Sequence, residues 1–257
     1  MNWSVVTGAT GGLGAAMAGL LAAEGGPLIL SGRDASRLQS IAEELREAHG
    51  VEVRAVAADL STEEGLGALR SISEPLDLVV VCGAAYHYGS LMELGDTEFE
   101  HLTACNVRNT GRLIRWAIES LERTSGGLLV VGSMGAILPA PQHASYSASK
   151  AWLHQFVRSI QAERGNEAVR ITLGIPGGMA TPMLLESPAW KSMQNNPLAR
   201  MTLMRPDRVA AQLLAAVRRG RPVVIPGFLN RWACRLVRGL PLWVRLWVAR
   251  RVYGVDR

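Results

Sequence analysis

The stretch Thr7-Gly8-Ala9-Thr10-Gly11-Gly12-Leu13-Gly14 joins a short apolar strand, predicted at Trp3–Val6, to a helix of small residues, predicted at Gly12–Glu24. Glycines let a backbone turn tightly and approach a pyrophosphate, and a helix N-terminus offers free N–H groups and a favourable dipole. A plain tight turn is the alternative, but the position in the first strand–helix unit favours nucleotide binding. The residues expected to form this site are Gly8, Thr10, Gly11, Gly12, Leu13 and Gly14.

The chain continues to alternate strand and helix as far as about residue 226. Almost unbroken apolar runs bounded by turns are typical of parallel strands covered on both faces. The further predicted strands are Pro27–Ser31, Val51–Ala57, Asp77–Cys82, Gly127–Gly132, Val169–Ile175 and Pro222–Ile225, and the further predicted helices are Asp34–Ala48, Thr62–Ser73, Asp96–Leu121, Ser145–Arg164 and Pro206–Arg219. We therefore predict a doubly wound α/β fold, a Rossmann-like parallel sheet of about seven strands, with its ligand site beyond the carboxyl ends of the strands.

The composition indicates a globular protein, because 48% of the 257 residues are hydrophobic and 19% are charged. The three cysteines lie far apart and fit neither a disulfide framework nor a metal site, so no metal is expected. We see no signal-peptide pattern and no long uncharged apolar segment. We expect a cytoplasmic protein with one catalytic domain over residues 1–227.

The residues at the end of the second predicted strand are expected to contact the adenosine ribose of a bound dinucleotide. A carboxylate there would bind the 2′-hydroxyl of NAD, whereas this chain has Ser31-Gly32-Arg33. A guanidinium suits bidentate binding of a phosphate. Asp34 follows, but a helix cap explains it better. NADP is therefore the expected cofactor and NAD the less favoured one, although Arg33 can also be an ordinary surface arginine.

Tyr146-Ser147-Ala148-Ser149-Lys150 lies at the start of a predicted helix. Residues four apart share a helix face, so the phenol and the ammonium point the same way. The ammonium favours the phenolate and lowers the pKa of the phenol, which makes it a better acid–base group near neutral pH. Ser133 ends the fifth predicted strand, from which its hydroxyl can reach the same pocket.

Taken together, these motifs make the chain similar to the classical short-chain dehydrogenase/reductase family over roughly residues 1–226. They occur in the family's order and spacing, and each would be weak evidence alone. The matching motifs are Thr7–Gly14, Asp59-Leu60, Asn106, Ser133, Tyr146-x-x-x-Lys150 and Pro176-Gly177 followed by Thr181.

The resemblance implies catalytic roles for four residues. Tyr146 would exchange a proton with the substrate oxygen, and Ser133 would hydrogen-bond that oxygen. Lys150 would lower the pKa of the phenol and hold the nicotinamide ribose. Asn106 would hold a water that links Lys150 to solvent, unless it only marks a helix kink.

The resemblance also implies cofactor contacts and an assembly. Asp59 and Leu60 would lie near the adenine, and the segment of Pro176, Gly177 and Thr181 near the nicotinamide carboxamide. A cap for Asp59 and a turn for Thr181 are the ordinary alternatives. The family resemblance further implies a homodimer or homotetramer.

One motif departs from the family, which usually has Asn-Asn-Ala-Gly after the fourth strand. This chain has Val81-Cys82-Gly83-Ala84. Gly83 still allows the backbone to pass near the cofactor, but the asparagine hydrogen bonds are lost. The change puts the rigidity of this segment in doubt, and Cys82 is interpreted as a small buried apolar residue.

Three segments are expected to border the substrate: Ala85–Gly89, Ile137–His143 and a methionine-rich lid at residues 179–204. Methionines adapt to hydrophobic ligands, but a lid packed on its own domain explains them equally well. The candidate lining residues are Tyr86, His87, His143, Met179, Met183 and Leu184.

The C-terminal residues 228–257 differ from the rest. They contain seven arginines and one aspartate, a local net charge of +6, while the rest of the chain has 20 basic and 21 acidic residues. Tryptophan, leucine and arginine alternate over Phe228–Val252, which predicts a basic amphipathic helical tail broken at Pro241. An anionic membrane surface is one expected partner of residues 228–252, and packing on the domain or on a second subunit is the alternative. We expect no nucleic acid partner.

The sequence thus predicts an NADP(H)-dependent enzyme that reduces a ketone or aldehyde, or runs the reverse reaction, on a hydrophobic substrate. A nucleotide-sensing or scaffold protein on the same fold is the alternative.

Overall fold

The computed structural model describes residues 2–165, 168–187, 190, 194 and 197–253. In this part of the chain seven strands form one parallel sheet: β1 Trp3–Thr7, β2 Leu28–Gly32, β3 Val53–Ala57, β4 Leu76–Val81, β5 Gly127–Val131, β6 Arg170–Gly174 and β7 Val223–Val224. Their order is β3-β2-β1-β4-β5-β6-β7. The predicted doubly wound sheet is confirmed, with strand ends displaced by one or two residues.

Helices cover both faces of the sheet. Their bounds are α1 Gly12–Ala23, α2 Ala35–His49, α3 Glu63–Arg70, α4 Asp96–Thr103, α5 Thr110–Leu121, α6 Ala144–Arg164, α7 Pro182–Leu185, α8 Pro197–Thr202, α9 Pro206–Arg218, α10 Phe228–Gly239 and α11 Leu242–Tyr253. Two apolar cores result, because each strand sends alternate side chains to opposite faces. One contains Met17, Leu30 and Leu213, and the other contains Ile29, Leu113 and Val157.

The strand order reverses at β1, which pairs with β2 on one side and with β4 on the other. The connections therefore leave in opposite directions and open a crevice beyond the carboxyl ends of these strands. The glycine turn after β1 lies at this point, so the predicted nucleotide site and the topological switch point coincide.

The helix predicted over Asp96–Leu121 is present, but it is not α-helical throughout. A π-helical turn, Ala104–Asn109, separates α4 from α5. The Thr110 hydroxyl donates a hydrogen bond to the Cys105 carbonyl oxygen at 2.7 Å inside this turn. Periodicity cannot distinguish a π turn from an α-helix over six residues, and such turns are frequent at functional sites.

The two ends of the predicted lid are joined to each other. Met179 and Met204 form an isolated parallel bridge, in which the Ala180 N–H donates to the Met204 carbonyl oxygen at 3.2 Å. Helices α7 and α8 lie between these ends. The tail is helical and is broken before Pro241, as predicted; residues 254–257 lie outside the described part of the chain.

Candidate active site

The glycine turn is shaped by close backbone approaches. Gly8 has a φ of +68°, and a Cβ placed on it would lie 2.7 Å from the Gly83 Cα. A Cβ on Gly14 would lie 2.2 Å from the Gly8 carbonyl oxygen. Helix α1 begins here at Gly12, and its N-cap, Gly11, makes no side-chain capping bond. The first N–H groups of α1 therefore point at a concave backbone surface that suits a phosphate.

The rest of the turn is fixed by its neighbours. The Thr10 side chain lies against Gly32, where an added Cβ would be 3.0 Å from Thr10 Oγ1. Leu13 is buried in the core beneath the turn. Leu60 packs against Gly83, where an added Cβ would be 3.3 Å from Leu60 Cδ1. The structure thus brings together the ends of β1, β2, β3 and β4.

Thr7 supplies rigidity to the segment that lacks the family's asparagines. Its hydroxyl accepts hydrogen bonds from the N–H groups of Cys82 at 3.1 Å and Gly83 at 3.3 Å, and donates to the Val80 carbonyl oxygen at 3.2 Å. Burial raises the pKa of the Cys82 thiol to about 11, which fits a buried apolar residue rather than a reactive thiol. The sequence analysis included Thr7 in the glycine-rich motif but assigned it no role, because a contact with the end of β4 leaves no local pattern.

At the end of β2, Arg33 and Asp34 have different environments. Asp34 caps α2: its carboxylate accepts hydrogen bonds from the Arg37 N–H at 3.0 Å and the Ser36 hydroxyl at 2.8 Å. The bond from the Arg37 backbone is the main reason that the pKa of Asp34 is lowered. Arg33 is exposed beside the turn. The cap interpretation of Asp34 is confirmed, and the Arg33 guanidinium is exposed at the end of β2.

Asp59 follows β3, and its side chain is also hydrogen-bonded to a nearby backbone group. Its carboxylate accepts a hydrogen bond from the Ser61 N–H at 2.8 Å. Burial raises the pKa of Asp59, but hydrogen bonds from Ser61 hold it below its ordinary value. The carboxylate therefore stays ionised and half-buried beside the crevice.

Tyr146 and Lys150 lie on one face of α6, as the spacing predicts. The Lys150 ammonium is buried, donates to the Val131 carbonyl oxygen at 3.0 Å, and lies 5.8 Å from the centroid of the Tyr146 ring. Burial lowers the pKa of Lys150, while the nearby thiols of Cys82 and Cys105 act in the opposite direction. A phenol and a desolvated ammonium thus meet at the carboxyl end of β5.

Asn106 lies in the π turn and is buried. Its side-chain oxygen accepts from the Ala85 N–H at 2.8 Å, and its amide nitrogen donates to the Ala85 carbonyl oxygen at 2.9 Å and the Ser149 hydroxyl at 3.1 Å. The Ser149 hydroxyl in turn donates to the Tyr146 carbonyl oxygen at 2.7 Å. Asn106 therefore fastens the loop after β4 to the helical turn that carries Tyr146.

Ser133 lies just beyond β5 and begins a short 3-10 turn, Met134–Ala136. Its hydroxyl accepts from the Gly135 N–H at 3.0 Å, which leaves its own hydrogen available for another acceptor. A Cβ placed on Gly135 would lie 3.3 Å from the Ser133 hydroxyl and 3.8 Å from that of Ser147. Ser133 therefore lies close to the first turn of α6.

His154 is a residue that the sequence reasoning missed. It follows Tyr146 and Lys150 at the same four-residue spacing. This spacing could have predicted that His154 lies on the same face of the helix. Its Nε2 accepts a hydrogen bond from the Ser133 N–H at 3.2 Å, and a Cβ on Gly132 would lie 2.3 Å from the same nitrogen. Burial lowers the pKa of His154 to about 4, assisted by the charges of Arg158, Lys150 and Arg238.

Pro176 and Gly177 follow β6 and lie next to the Ser133 turn. The Met134 N–H donates to the Pro176 carbonyl oxygen at 2.9 Å. A Cβ on Gly177 would lie 2.8 Å from the Asn230 side-chain nitrogen. Thr181 is buried at the start of the lid. The tail thus contacts the loop expected to hold the nicotinamide.

An aromatic cluster lies beside Tyr146. The Tyr86 ring meets the Tyr146 ring edge-on at 5.1 Å between centroids, and the His143 ring lies 5.3 Å from Tyr86 and 4.9 Å from Tyr88. Burial lowers the pKa of His143 to about 4. His87 approaches Gly89, where an added Cβ would be 3.0 Å from the His87 Nε2. These rings form an apolar wall next to the phenol.

The lid residues are placed differently. Met179 packs on the core with Met204, and Leu184 is half-buried, with its N–H donating to the Thr181 carbonyl oxygen at 3.0 Å. The side chain of Met183 lies outside the described part of the structure. Among the described residues, no cluster of three His, Cys, Asp or Glu side chains could hold a metal ion.

Comparison with known proteins agrees with this geometry. The family model described as short chain dehydrogenase matches residues 2–192. A 7beta-hydroxysteroid dehydrogenase from Clostridium sardiniense is 29% identical over 211 residues, which is 81% of this chain and 79% of that protein. The chain therefore belongs to the short-chain dehydrogenase/reductase family of oxidoreductases, as the motifs predicted.

Two solved structures show the same fold. A 7beta-hydroxysteroid dehydrogenase structure superposes with a TM-score of 0.85 at 21% identity, covering 96% of both chains. An alcohol dehydrogenase from the archaeon Thermococcus sibiricus, solved with 5-hydroxy-NADP, superposes with a TM-score of 0.74 at 27% identity. It covers 88% of this chain and 95% of its own.

Proposed function

We propose that this protein reduces a ketone or aldehyde to an alcohol, or catalyses the reverse reaction, with NADP(H) as the cofactor and Tyr146 as the acid–base residue. The observation that carries this proposal is the buried Lys150 ammonium beside the Tyr146 ring, at the strand edge that also holds the glycine turn. Lys150 forms no ion pair with a carboxylate of the described residues, and a buried unpaired cation is costly, so its presence there favours a chemical role.

The described residues fit a nicotinamide dinucleotide. The concave glycine turn and the start of α1 would hold the pyrophosphate, and Asp59 with Leu60 would border the adenine. Pro176, Gly177 and Thr181 would border the nicotinamide, which carries the hydride when the cofactor is bound.

Arg33 supports the choice of NADP over NAD. The guanidinium is exposed at the end of β2, whereas the ionised Asp34 carboxylate is hydrogen-bonded to the first turn of α2 through Oδ1. A 2′-phosphate would therefore find a cation at the end of β2. The alcohol dehydrogenase related in structure was solved with an NADP derivative, which is consistent with this choice.

The protein's own groups would move the proton. Tyr146 would donate it to the substrate oxygen during reduction, and the Lys150 ammonium would stabilise the phenolate that remains. The Ser133 hydroxyl, already oriented by Gly135, would donate a hydrogen bond to the same oxygen. Asn106 would hold Tyr146 in place through Ser149, and the predicted water beside Asn106 would return a proton through Lys150.

The apolar wall of rings beside Tyr146 favours a hydrophobic substrate. Tyr86 and His143 offer ring surfaces next to the phenol, and the relative from Clostridium sardiniense is named for a steroid substrate. We propose a substrate with a flat or bulky apolar body beside its carbonyl group.

The test follows NADPH oxidation against a panel of apolar ketones and aldehydes. Tyr146→Phe should lower kcat by about 10³-fold or more without weakening NADPH binding, since it removes only the proton donor. Tyr88→Phe is the matched control and should keep kcat within about threefold. Equal rates for Tyr146→Phe and the wild type would refute the mechanism. NADPH binding without turnover of any carbonyl would support the nucleotide-sensing alternative.

A further inference from the structure

The tail helices expose an unusual amount of apolar surface. Here "the tail" means residues 228–253, which form α10 and α11. Eight of its large apolar side chains are between 41% and 73% exposed: Phe228, Leu229, Trp232, Leu236, Leu242, Trp243, Leu246 and Trp247. Isolated exposed apolar residues are normal, but a run of eight over twenty residues marks an interaction surface.

This surface is not the side of the tail that packs on the protein. Asn230 and Cys234, one helical turn apart, are buried. The Asn230 side-chain nitrogen donates to the carbonyl oxygens of Pro226 at 3.2 Å and Thr202 at 3.3 Å. Helix α10 is therefore already docked through this side, and its exposed apolar residues are an additional face.

The helical repeat gives α10 three distinct sides. Phe228, Leu229, Trp232 and Leu236 project together to solvent, and Asn230, Ala233, Cys234 and Val237 face the protein. The third side holds Arg231, Arg235 and Arg238, all exposed. An apolar face bordered by arginines is therefore presented outward.

Helix α11 repeats this combination. Leu242, Trp243, Leu246 and Trp247 are exposed, while Ala249 is buried. The Arg251 guanidinium lies 5.7 Å from the centroid of the Trp247 ring, as Arg235 lies 6.0 Å from that of Trp232. Arginine and tryptophan side chains thus lie together in both helices.

The charge of the tail indicates what covers this face. The tail contains six arginines and no acidic residue. None of the ion pairs found among the described residues involves a tail arginine. A partner that covers this face must therefore bring both apolar surface and negative charge.

We infer that the tail lies on an anionic lipid bilayer, parallel to its surface, with the tryptophans and leucines in the headgroup–acyl boundary and the arginines on lipid phosphates. Tryptophan and arginine are the side chains that suit this boundary. No helix in the described part of the chain is long and apolar enough to cross a membrane, so the tail would bind in the plane of the surface. Its docked side adjoins Thr202 of the lid, which would hold the active-site opening near the lipid.

The experiment is co-sedimentation of the full-length protein with vesicles. The test vesicles contain phosphatidylcholine with about 30 mol% phosphatidylglycerol, and the reference vesicles contain phosphatidylcholine alone. We expect at least about tenfold stronger partitioning into the anionic vesicles at low salt, and most of that gain to disappear at about 0.5 M salt.

Two variants separate the apolar and the charged contributions. Trp243→Ala with Trp247→Ala should weaken binding about tenfold or more without changing thermal unfolding, since both side chains are exposed. Arg231→Gln with Arg235→Gln and Arg250→Gln should remove the preference for anionic lipid. The matched control, Arg70→Gln with Arg115→Gln and Arg123→Gln, removes the same net charge away from the tail and should bind like the wild type.

Three results would overturn the inference. The first is no binding to anionic vesicles at low salt. The second is an equal loss of binding in the tail and control arginine variants, which would mean that net charge alone attracts the protein. The third is a tryptophan variant that changes the oligomeric mass in light scattering but not vesicle binding, which would make this face a contact between copies of the chain.

Discussion

Helix α6 and the tail both combine basic and apolar side chains, but they place them in opposite environments. On α6, Lys150 is 4% exposed and its ammonium bonds to one backbone oxygen beside one phenol. In the tail, five of the six arginines are exposed beside exposed tryptophans, and only Arg245 is half-buried. A desolvated charge interacts strongly with the few atoms around it, whereas solvated charges are screened and act together on an extended surface.

The same difference holds for polar contacts. Around α6, Asn106, Ser149 and His154 each hydrogen-bond a backbone group or another side chain of the site. In the tail, the Asn230 side chain hydrogen-bonds to backbone oxygens outside the tail. The described residues on the exposed faces of the tail form no similar network of side-chain hydrogen bonds. We therefore expect substitutions on α6 to change chemistry and pH dependence, and substitutions in the tail to leave both unchanged.

The largest expected effect is that of Lys150→Met. Methionine fills a similar volume but removes the ammonium beside Tyr146 and leaves the Val131 carbonyl oxygen without its donor. We expect kcat/KM to fall about 10³-fold, equivalent to about 4 kcal/mol of transition-state stabilisation. Steady-state NADPH oxidation measures this, and Lys150→Arg should recover part of the loss because it keeps the charge. A loss of kcat/KM below about threefold would mean that the ammonium takes no part in the reaction.

A second prediction concerns His154 and the pH dependence of stability. Its imidazole has a pKa of about 4 in the folded protein and near 6.5 in the unfolded chain. Between these values the unfolded chain binds a proton that the folded protein does not, so the free energy of unfolding falls as pH drops from 6.5 to 4. The full difference is about 3 kcal/mol. His154→Gln should reduce this slope in urea unfolding, and His49→Gln, an exposed histidine, should not.

His154 is also expected to position Ser133. His154→Leu removes the acceptor for the Ser133 N–H and should lower kcat about tenfold with unchanged NADPH affinity, whereas His154→Gln keeps an acceptor and should restore most of the rate. Equal rates for Leu and Gln would show that the imidazole only fills space.

A further effect, confined to cofactor binding, is expected for Arg33→Ala. Loss of a guanidinium bound to phosphate should weaken NADPH binding about 10- to 100-fold, or about 1.5–3 kcal/mol, and leave NADH binding nearly unchanged. Fluorescence titration with both cofactors measures the difference. Arg37→Ala, also exposed and in the first turn of α2, is the control. A parallel loss for NADPH and NADH would argue against a 2′-phosphate contact.

The smallest effect is expected in the tail. Trp243→Ala should change the free energy of unfolding by no more than about 0.5 kcal/mol, because the side chain is 73% exposed. Leu153→Ala, buried on α6, should cost about 2–5 kcal/mol. Urea unfolding of both variants measures the contrast. A cost above about 1.5 kcal/mol for Trp243→Ala would mean that the protein itself covers this face in solution.

The sequence predicted the sheet well because its signals are local. The apolar runs of β2 and β5, the glycine turn and the Asp34 cap each act within a few residues. The π-helical turn at Ala104–Asn109 was not predicted, since one extra residue in a turn leaves the apolar pattern nearly intact. NADP specificity, the residue roles and the domain boundary at residue 227 remain predictions.

The sequence predicted which candidate residues would lie near one another, but not the hydrogen bonds that join them. Spacing on α6 put Tyr146 and Lys150 on one face, yet the bond from Thr7 to the β4 end spans more than seventy residues. The sequence suggested a loosely held segment at Val81-Cys82, and the structure holds it from Thr7 and Asn106 instead. Only a folded chain brings such distant donors and acceptors together.

By itself, the sequence determined the family, the strand and helix order and the placement of Tyr146 and Lys150 on one helix face, because backbone propensity, apolar periodicity and four-residue helical spacing are local properties. The tertiary structure alone decided which side of α10 is docked, that His154 supports Ser133, and that eight large apolar side chains of the tail stay exposed. Burial and hydrogen bonding depend on distant parts of the chain, and no local pattern encodes which surface they leave uncovered.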